Sequence, residues 1–497
     1  MSKLKDLGQP SEFWEYFEQI TKIPRCSGQE EKVRAFVKKE AEKLGFKAQV
    51  DNTGNLVVKI LSKDRGGKKV VLQCHLDMVC EKNSGIEHDF STDPLKLTTL
   101  VIDNEKWVSA EGTTLGADNG VGIGYALALM KKIHDGTLNF ESLSFDLLFT
   151  VDEELGLRGA FKIDKDLISG DYLINLDGEE EDSVIVGCAG GRVTYFNINK
   201  EIVEVKVSEN LIPVKLFVFG LVGGHSGVDI HLGRGNAVKI IGQILWKLNK
   251  KSQIKINSIN GGNRTNAITR EASAVFLIKK NDFLEIERMI KDVFGKIKVV
   301  FEGIEPSLDI TLEKLENSRV NEVFTQKIQD NLLNILYTIP DGPLSMHPQI
   351  RDLVFTSSNL AVIKTEEERI QLRLSQRSLS EYFKIVIWEK VLALLNLTGL
   401  GIEIIIDSDY PGWTPDFNSK LLKITKDVYQ ELYGEKIEVK AIHAGLECGI
   451  LKEKFPQMEM ISIGPKNIGA HSPDERISVP SVEKIWEFVL SLLKKLA

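Results

Sequence analysis

The stretch Leu143–Gly156, LSFDLLFTVDEELG, decides the fold class and indicates the chemistry of this chain. The apolar run from Leu143 to Val151 predicts a buried strand. Asp152, Glu153 and Glu154 follow it directly. Adjacent carboxylates at the end of a buried strand repel each other and are costly to desolvate unless a cation lies beside them. The pattern indicates either a solvated acidic turn or a metal site where one carboxylate binds the ion and its neighbour transfers a proton.

Size and composition are those of a globular protein with more than one domain. The chain has 497 residues, of which 42% are hydrophobic and 27% are charged. This length predicts at least two domains. The net charge is -8 and no basic stripe occurs, which disfavours binding to nucleic acid or to a membrane surface.

The cysteines and the N-terminal segment predict a cytoplasmic protein. The five cysteines are scattered and form no CxxC pair, as expected in a reducing compartment rather than in a disulfide framework. The first residues, MSKLKDLGQPSEFWEYF, contain no apolar core of the signal-peptide type. No stretch approaches the ~18 uncharged apolar residues of a membrane span.

The periodicity of apolar residues changes twice along the chain. Strands and helices alternate up to about residue 188, which predicts an α/β domain with a mostly parallel sheet. Ser27–Glu30 has capping-box spacing before a helix, and a polar loop is predicted between Asp77 and Gly116. Longer alternating strands then predict an α+β domain of two ferredoxin-like modules. The predicted domains are a catalytic domain of residues 1–188 and 386–497, and an inserted domain of residues 189–385.

Six polar residues each lie just past an apolar strand or at a strand-to-helix junction: His75, Asp118, Glu153, Glu154, Asp177 and His471. In open parallel sheets, ligand sites form outside the carboxyl ends of the strands, so these side chains are predicted to meet. Imidazole and carboxylate ligands favour zinc, cobalt or manganese. Asp118, in a loop before a helix, fits a bridging ligand, and Asp77 is placed to orient the His75 imidazole.

Five motifs resemble the co-catalytic zinc peptidase family that includes aminoacylases and carnosinases: HLDMV (75–79), GTTLGADNGVGI (112–123), DEELG (152–156), NLDGEE (175–180) and GAHSPDE (469–475). The resemblance implies that His75 and Asp177 hold one metal ion, that Glu154 and His471 hold the other, and that Asp118 bridges them. It also implies that Glu153 is the general base, that Asp77 orients His75, and that the Asp118–Asn119 peptide is cis.

The inserted domain resembles the lid of that family. In Gly223–Gly227 (GGHSG), the resemblance implies that His225 stabilises the oxyanion. It further implies that Asn266, in NRTNAI, contacts substrate, and that Arg377, in RLSQRS, pairs with the substrate carboxylate. Phe355 stands where the close relatives lead us to expect a glutamate, which affects the expected pocket chemistry.

The resemblance implies a dipeptidase with two divalent metal ions, zinc before cobalt or manganese, that acts on small Xaa-His dipeptides. Three alternatives stay open: another dimetal amidohydrolase, such as an N-acyl amino acid deacylase, a tripeptidase or a carboxypeptidase; a non-catalytic metal-binding relative; and a thiol-redox role for Cys74 and Cys80. No nucleic-acid or membrane partner is expected, and the sequence leaves a homodimer open.

Overall fold

The computed structural model describes residue 4 and residues 6–62, 67–205, 210–315 and 320–497. The chain forms two compact units. Unit 1 comprises Met1–Cys188, Trp413–Ala441 and Leu446–Ala497, and unit 2 comprises Ala189–Gly412 and Ile442–Gly445. Each unit is built from its own helices and strands.

The first part of unit 1 contains these helices and strands: α1 (Ser11–Ile20), α2 (Glu31–Lys43), β1 (Lys47–Val50), β2 (Leu56–Ile60), β3 (Lys68–His75), β4 (Leu97–Ile102), β5 (Glu105–Ala110), α3 (Ala117–His134), β6 (Leu143–Thr150), α4 (Arg158–Lys162), β7 (Tyr172–Asn175) and β8 (Ser183–Cys188). β6 is the strand that the stretch LSFDLLFTV predicts. It is buried because seven of its eight side chains lie in the interior.

Unit 2 contains these helices and strands: β9 (Gly190–Asn199), β10 (Ile202–Glu204), β11 (Leu211–Phe219), β12 (Gly224–His225), α5 (Ala237–Lys251), β13 (Lys255–Gly261), β14 (Ala267–Ile268), β15 (Ala272–Lys279), α6 (Phe283–Val300), β16 (Asp309–Lys314), β17 (Glu322–Phe324), α7 (Gln326–Thr338), β18 (Gly342–Met346), β19 (Val354–Thr365), β20 (Arg369–Ser378), α8 (Glu381–Asn396) and β21 (Ile402–Tyr410).

The last part of the chain returns to unit 1 with these helices and strands: α9 (Lys420–Tyr433), β22 (Glu438–Ile442), α10 (Glu447–Lys454), β23 (Glu459–Ser462), β24 (Asn467–Ile468), β25 (Arg476–Ser478) and α11 (Val479–Leu496). Among the residues described, no helix combines the length and the apolar character that a membrane crossing requires.

The main sheet of unit 1 has the order β1-β2-β6-β3-β7-β23-β8-β22. Its centre is parallel, since β6, β3, β7 and β23 all run in one direction. The flanking strands β2 and β8 pair antiparallel with this centre. The apolar core packs against the sheet and includes Phe13, Phe17, Leu127, Phe149 and Phe488. The prediction of a mostly parallel sheet is therefore correct for the central strands, while the outer strands pair antiparallel.

Unit 2 is a doubled ferredoxin-like fold in one antiparallel sheet, with the order β16-β11-β15-β13-β19-β20-β9-β21. The strands β11, β13, β15 and β16, with α5 and α6, follow a β-α-β-β-α-β order. The strands β9, β19, β20 and β21, with α7 and α8, repeat that order, and the first module is inserted after β9. This arrangement confirms the predicted pair of modules.

Two predictions about the chain's organisation need correction. Residues 386–412, which the sequence assigns to the second part of the catalytic domain, belong to unit 2. The reason is that β21 pairs with β9 from Ile402 to Tyr410 and completes the second module. The predicted polar loop between Asp77 and Gly116 contains the hairpin of β4 and β5, which turns at Asp103-Asn104 with positive φ at both residues.

Candidate metal centre

Three parallel strands bring the predicted ligands to one edge of the unit 1 sheet. β3 pairs in parallel with β6 on one side and with β7 on the other. Polar residues lie at or just past the carboxyl end of each strand, where binding sites form in parallel sheets. They are His75 on β3, Glu153 and Glu154 after β6, and Asp177 after β7.

A tight turn at the start of α3 delivers Asp118 to the same edge. The Asp118–Asn119 peptide is cis, and neither residue has helical backbone angles. Gly116 precedes them at φ 67°, and a Cβ there would meet the Arg25 guanidinium and the Met78 sulfur. The position therefore requires glycine both for its backbone and for space.

The two oxygens of Asp118 face two different histidines. Asp118 Oδ1 lies 2.8 Å from His75 Nε2, which is also 3.3 Å from Asp177 Oδ1. Asp118 Oδ2 lies 3.0 Å from His471 Nε2, which is also 3.0 Å from Glu154 Oε2. The described residues contain three groups of three potential ligands, and the ligand atoms within each group lie within 4.8 Å of one another. Two of the groups, His75-Asp118-Asp177 and Asp118-Glu154-His471, share Asp118, and the third is His75-Glu153-Glu154.

The residues present fit two divalent cations. Carboxylates this close together repel each other unless a cation lies between them. Glu154 Oε1 is buried and has no hydrogen-bond partner within the described part of the chain, so it offers a spare ligand atom. Nitrogen and oxygen donors without a thiolate suit a borderline cation such as zinc, cobalt or manganese. His75, Asp118 and Asp177 would hold one ion, and Asp118, Glu154 and His471 the other.

Burial and charged neighbours shift the pKa values of these groups. Burial raises the pKa of Glu153 well above its usual range, and the negative charges of Asp177 and Glu154 raise it further. Hydrogen bonds with Asp118 and Glu154 raise the pKa of His471 to about 11. The pKa of His75 is also raised: burial opposes this, but the surrounding carboxylates outweigh it. Both imidazoles are therefore cationic when no metal ion balances the carboxylates.

Asp77 lies behind His75 and joins it to the acidic turn. Its Oδ1 is 3.3 Å from His75 Nδ1. Its two oxygens accept the backbone N–H groups of Glu153 and Glu154, each at 3.1 Å. Ser27 donates its hydroxyl to Asp77 Oδ2 at 2.8 Å instead of capping a helix, because α2 begins only at Glu31. One carboxylate thus positions residues of both predicted ion sites.

Glu475 and Arg25 are site residues that sequence reasoning missed, although Glu475 lies within the GAHSPDE motif. The buried Glu475 carboxylate accepts the backbone N–H groups of Leu115, Gly116 and Asp118 at 2.7, 2.8 and 3.1 Å. The segment that carries His471 therefore also holds the turn that carries Asp118. Arg25 is buried below this turn and donates to the Gly116 carbonyl.

Glu447, at the start of α10, is a second residue that sequence reasoning missed. Its Oε2 accepts hydrogen bonds from Gln73 Nε2 at 2.6 Å and from Thr150 Oγ1 at 2.7 Å. Asn175 Nδ2 donates to Gln73 Oε1 at 2.6 Å and extends the chain of bonds to β7. Burial raises the pKa of Glu447 to about 7. No local motif marks this position, because its partners are about 300 or more residues away.

Comparison with known proteins shows the family. The family model described as "Peptidase family M20/M25/M40" matches residues 71–495. The chain belongs to peptidase family M20/M25/M40. It is 34% identical to the cytosol non-specific dipeptidase of Escherichia coli over 500 residues, which cover 100% of this chain and 99% of that protein. The M20 chain is therefore an enzyme, a metallopeptidase.

Solved structures agree with this membership. The crystal structure of aminoacylhistidine dipeptidase from Vibrio alginolyticus matches with a TM-score of 0.86 and 34% identity, over 99% of this chain and 97% of that one. Aminopeptidase PepT from Bacillus cereus matches with a TM-score of 0.58 and 13% identity over 99% of each chain, which shows a shared fold alone. The predicted fold class is confirmed. The full-length similarity to an enzyme named for the cytosol also confirms the predicted cytoplasmic location.

Unit 2 of the M20 peptidase contains the residues predicted to contact substrate. His225, on β12, is half-buried, and its Nδ1 accepts the backbone N–H groups of Gly227 and Val228, both at 3.2 Å. A ring nitrogen that accepts hydrogen bonds carries no proton, so Nε2 carries the proton of the neutral ring and is a donor. A neutral His225 with this hydrogen bonding matches the tautomer that the predicted oxyanion contact requires, and that contact stays a prediction.

Asn266 and Arg377 line one cavity of about 290 Å³ within unit 2. Arg192, Arg264 and Tyr410 line it as well. Arg377 is buried and donates to the Tyr410 hydroxyl at 2.7 Å, while its Nε has no hydrogen-bond partner among the described residues. Phe355 lies elsewhere in unit 2, with its ring 5.8 Å from the ring of Phe383. A cavity lined by three arginines favours an anionic ligand.

Proposed function

We propose that this M20 dipeptidase hydrolyses Xaa-His dipeptides, with two zinc ions at the unit 1 centre and Glu153 as general base. The observation that carries the proposal is the sharing of Asp118 between two three-ligand groups, with Glu153 beside them. A role as a bridging ligand accounts for a carboxylate whose two oxygens face two different histidines.

The chemistry proposed for the chain's own residues is proton transfer. Divalent ions, when bound, supply Lewis acidity that lowers the pKa of water from 15.7 to about 7. Glu153 accepts the proton of the attacking water and then donates it to the leaving amine nitrogen. A carboxyl group whose pKa is raised by burial suits this exchange, because its two protonation states are closer in free energy at neutral pH. Asp77 keeps the Glu153 backbone in place through its hydrogen bond to the amide.

Unit 2 supplies the proposed substrate contacts. His225 would donate a hydrogen bond from its Nε2–H group to the oxyanion. Such a donor stabilises the transition state by roughly 3 kcal/mol in comparable sites. Arg377 would pair with the substrate carboxylate, since its side chain lines the cavity and a guanidinium can donate two parallel hydrogen bonds to a carboxylate. Asn266, which lines the same cavity, would hold the peptide through its side-chain amide.

The preference for histidine rests on the relatives. The Vibrio relative is named for aminoacylhistidine substrates, whereas the Escherichia coli relative is named a non-specific dipeptidase. The two relatives are equally similar to this chain, at 34% identity. We place this enzyme with the aminoacylhistidine type and treat a broader dipeptide range as the competing outcome.

The test is hydrolysis of carnosine, Xaa-His, Xaa-Leu and N-acetyl amino acids by zinc- or manganese-loaded enzyme, before and after chelation. Glu153→Gln is expected to lower kcat by about 10²–10⁴-fold while both ions remain bound, because the base is lost and the ligands are kept. Glu285→Gln, at an exposed residue of unit 2, is the matched control and should keep full activity.

Preferred cleavage of Xaa-His would support the proposal down to the leaving residue. Equal cleavage of Xaa-Leu would make the enzyme a broad dipeptidase. Cleavage of only acyl amino acids would overturn the substrate. Full activity of Glu153→Gln would overturn its role as the base.

A further inference from the structure

We propose that Cys26 and Cys80 form a reversible thiol–disulfide site through which small thiols and disulfides change metal binding at the neighbouring centre. This inference concerns regulation of the metal centre and does not depend on which peptide the enzyme cleaves.

Cys26 and Cys80 are bonded in the structure, across a sequence separation of 54 residues. The alternative of a thiol-redox role for Cys74 with Cys80 does not fit, because Cys74 is free and buried. Burial raises the pKa of the Cys74 thiol, and a thiol in such surroundings is inert. Cys26 and Cys80 are only half-buried, so a small thiol can reach their bond.

The disulfide joins two segments that run side by side. Cys26 forms a parallel β-bridge with Met78. The Met78 N–H donates to the Arg25 carbonyl at 3.1 Å. The Arg25 guanidinium donates to the carbonyls of Leu76 and Asp77 at 3.0 and 2.8 Å. The disulfide therefore cross-links two segments whose hydrogen bonds extend from Met78 back to Asp77 and Leu76.

Asp77 connects these segments to the metal centre. Ser27, next to Cys26, donates to Asp77 Oδ2, and Asp77 Oδ1 faces His75 Nδ1. Cys80 lies three residues after Asp77. Loss of the cross-link thus releases a restraint on both partners of the Ser27–Asp77 hydrogen bond. Since Asp77 also accepts the amides of the acidic turn, the orientation of ligands in both ion sites depends on this contact.

The compartment supports a reversible bond. Cytosolic disulfides are usually transient and are either catalytic or redox-sensing, because small thiols keep most cysteines reduced. A half-buried pair in a cytoplasmic enzyme is therefore expected to follow the ratio of small thiols to small disulfides.

The chemistry is thiol–disulfide exchange with a low-molecular-weight disulfide such as that of glutathione. One cysteine thiolate attacks the small disulfide, forms a mixed disulfide and releases one small thiolate. The second cysteine thiolate attacks the protein sulfur of the mixed disulfide, forms the Cys26–Cys80 bond and releases the second small thiolate. Two electrons pass to the small disulfide, and the two protons of the cysteine thiols end on the two released thiols.

The expected effect is on metal affinity. Removing a group that orients a metal ligand lowers affinity 10–100-fold in comparable sites. Reduction only loosens such a group, so we expect the oxidised protein to bind metal on the order of 10-fold more tightly than the reduced protein.

The experiment uses the full-length apo protein, equilibrated with defined ratios of reduced to oxidised glutathione and then freed of glutathione without oxygen. Alkylation and mass spectrometry give the fraction with the Cys26–Cys80 bond. Mn²⁺ is the probe, because thiols bind this hard ion weakly, and the electron paramagnetic resonance signal of free Mn²⁺ gives the affinity. The readout needs no substrate, so it stays valid if the proposed peptide specificity fails.

Two variants provide controls. The double variant Cys26→Ser/Cys80→Ser should bind Mn²⁺ like the reduced protein at every ratio. Cys448→Ser should keep the full redox response, because Cys448 is buried and unbonded. Phosphine reduction of the wild-type protein gives the same comparison without any variant. The proposal is overturned if both thiols stay free at every ratio, if the bond forms without a change in affinity, or if the double variant still responds.

Discussion

Asp118 would be a ligand in both proposed ion sites, because its two oxygens face different histidines. Asp177 belongs to one ligand group only. Asp118→Asn should therefore weaken the binding of both metal ions, whereas Asp177→Asn should leave one ion bound per chain. Metal content after dialysis, measured by elemental analysis, checks this, with the exposed Asp166→Asn as control. Equal metal loss in the two variants would contradict the bridging role.

Metal binding should also depend on pH through His75 and His471. The pKa of each imidazole is raised in the metal-free centre, that of His471 to about 11, so both are protonated near neutral pH. A histidine binds metal only in its neutral form, so binding displaces these protons. Affinity should rise by about tenfold per pH unit for each proton released, and the rise should end only near the raised pKa.

Calorimetric titration of the apo protein in buffers with different ionisation enthalpies measures the protons released. Release should be present from about pH 6 to about pH 9. An affinity that does not change over this range would show that the imidazoles are already neutral.

At the scale of elements, α10 ties together the strands that carry the ligands. Glu447 bonds Gln73 on β3 and Thr150 on β6, and Gln73 bonds Asn175 on β7. Each of these residues lies two to four positions before a predicted ligand or base. We therefore expect Glu447 to be a positioning residue for the centre, because its hydrogen bonds link the ends of the strands that precede the predicted ligands.

Glu447→Ala should lower the free energy of unfolding by about 2–5 kcal/mol, since two buried donors lose their acceptor. Glu447→Gln keeps an oxygen acceptor, so its free energy of unfolding should fall by less. Urea denaturation gives these free energies. Zinc affinity, measured separately, shows whether the ligands at the strand ends are still correctly placed. Glu453→Ala, an exposed glutamate on the same helix, is the control. An unchanged zinc affinity in Glu447→Ala would limit Glu447 to a purely structural role.

At the scale of the whole molecule, all the predicted metal ligands lie in unit 1, while unit 2 has a separate apolar core. A metal ion that binds only the folded state stabilises that state by about 2.7 kcal/mol when the free metal concentration is 100 times the Kd. Chelation should therefore raise amide hydrogen exchange at residues 115–118, 152–156 and 469–475. The core of unit 2, at α5 and β11, should change little.

Hydrogen exchange followed by mass spectrometry, with and without zinc, checks this prediction. A matched sample treated with calcium-loaded chelator controls for the chelator itself. Equal changes in the two units would show that metal binding stabilises the entire chain rather than unit 1.

The sequence by itself predicted the ligand set and determined the class of both units. His75, Asp118, Glu154, Asp177 and His471 could be selected because each follows an apolar strand or opens a helix, which is a local pattern. The doubled module could be predicted for the same reason, since alternation of apolar residues is visible within each strand. The family resemblance then assigned roles that the local pattern left open.

Only the tertiary structure decided where the second module ends, how the centre is supported and which cysteines pair. β21 belongs to unit 2 because it pairs with β9, about 200 residues earlier in the chain. Glu447, Glu475 and the Cys26–Cys80 pair act through contacts between distant segments. Such contacts leave no periodicity in either segment, because each side chain is selected by a partner that folding alone brings near.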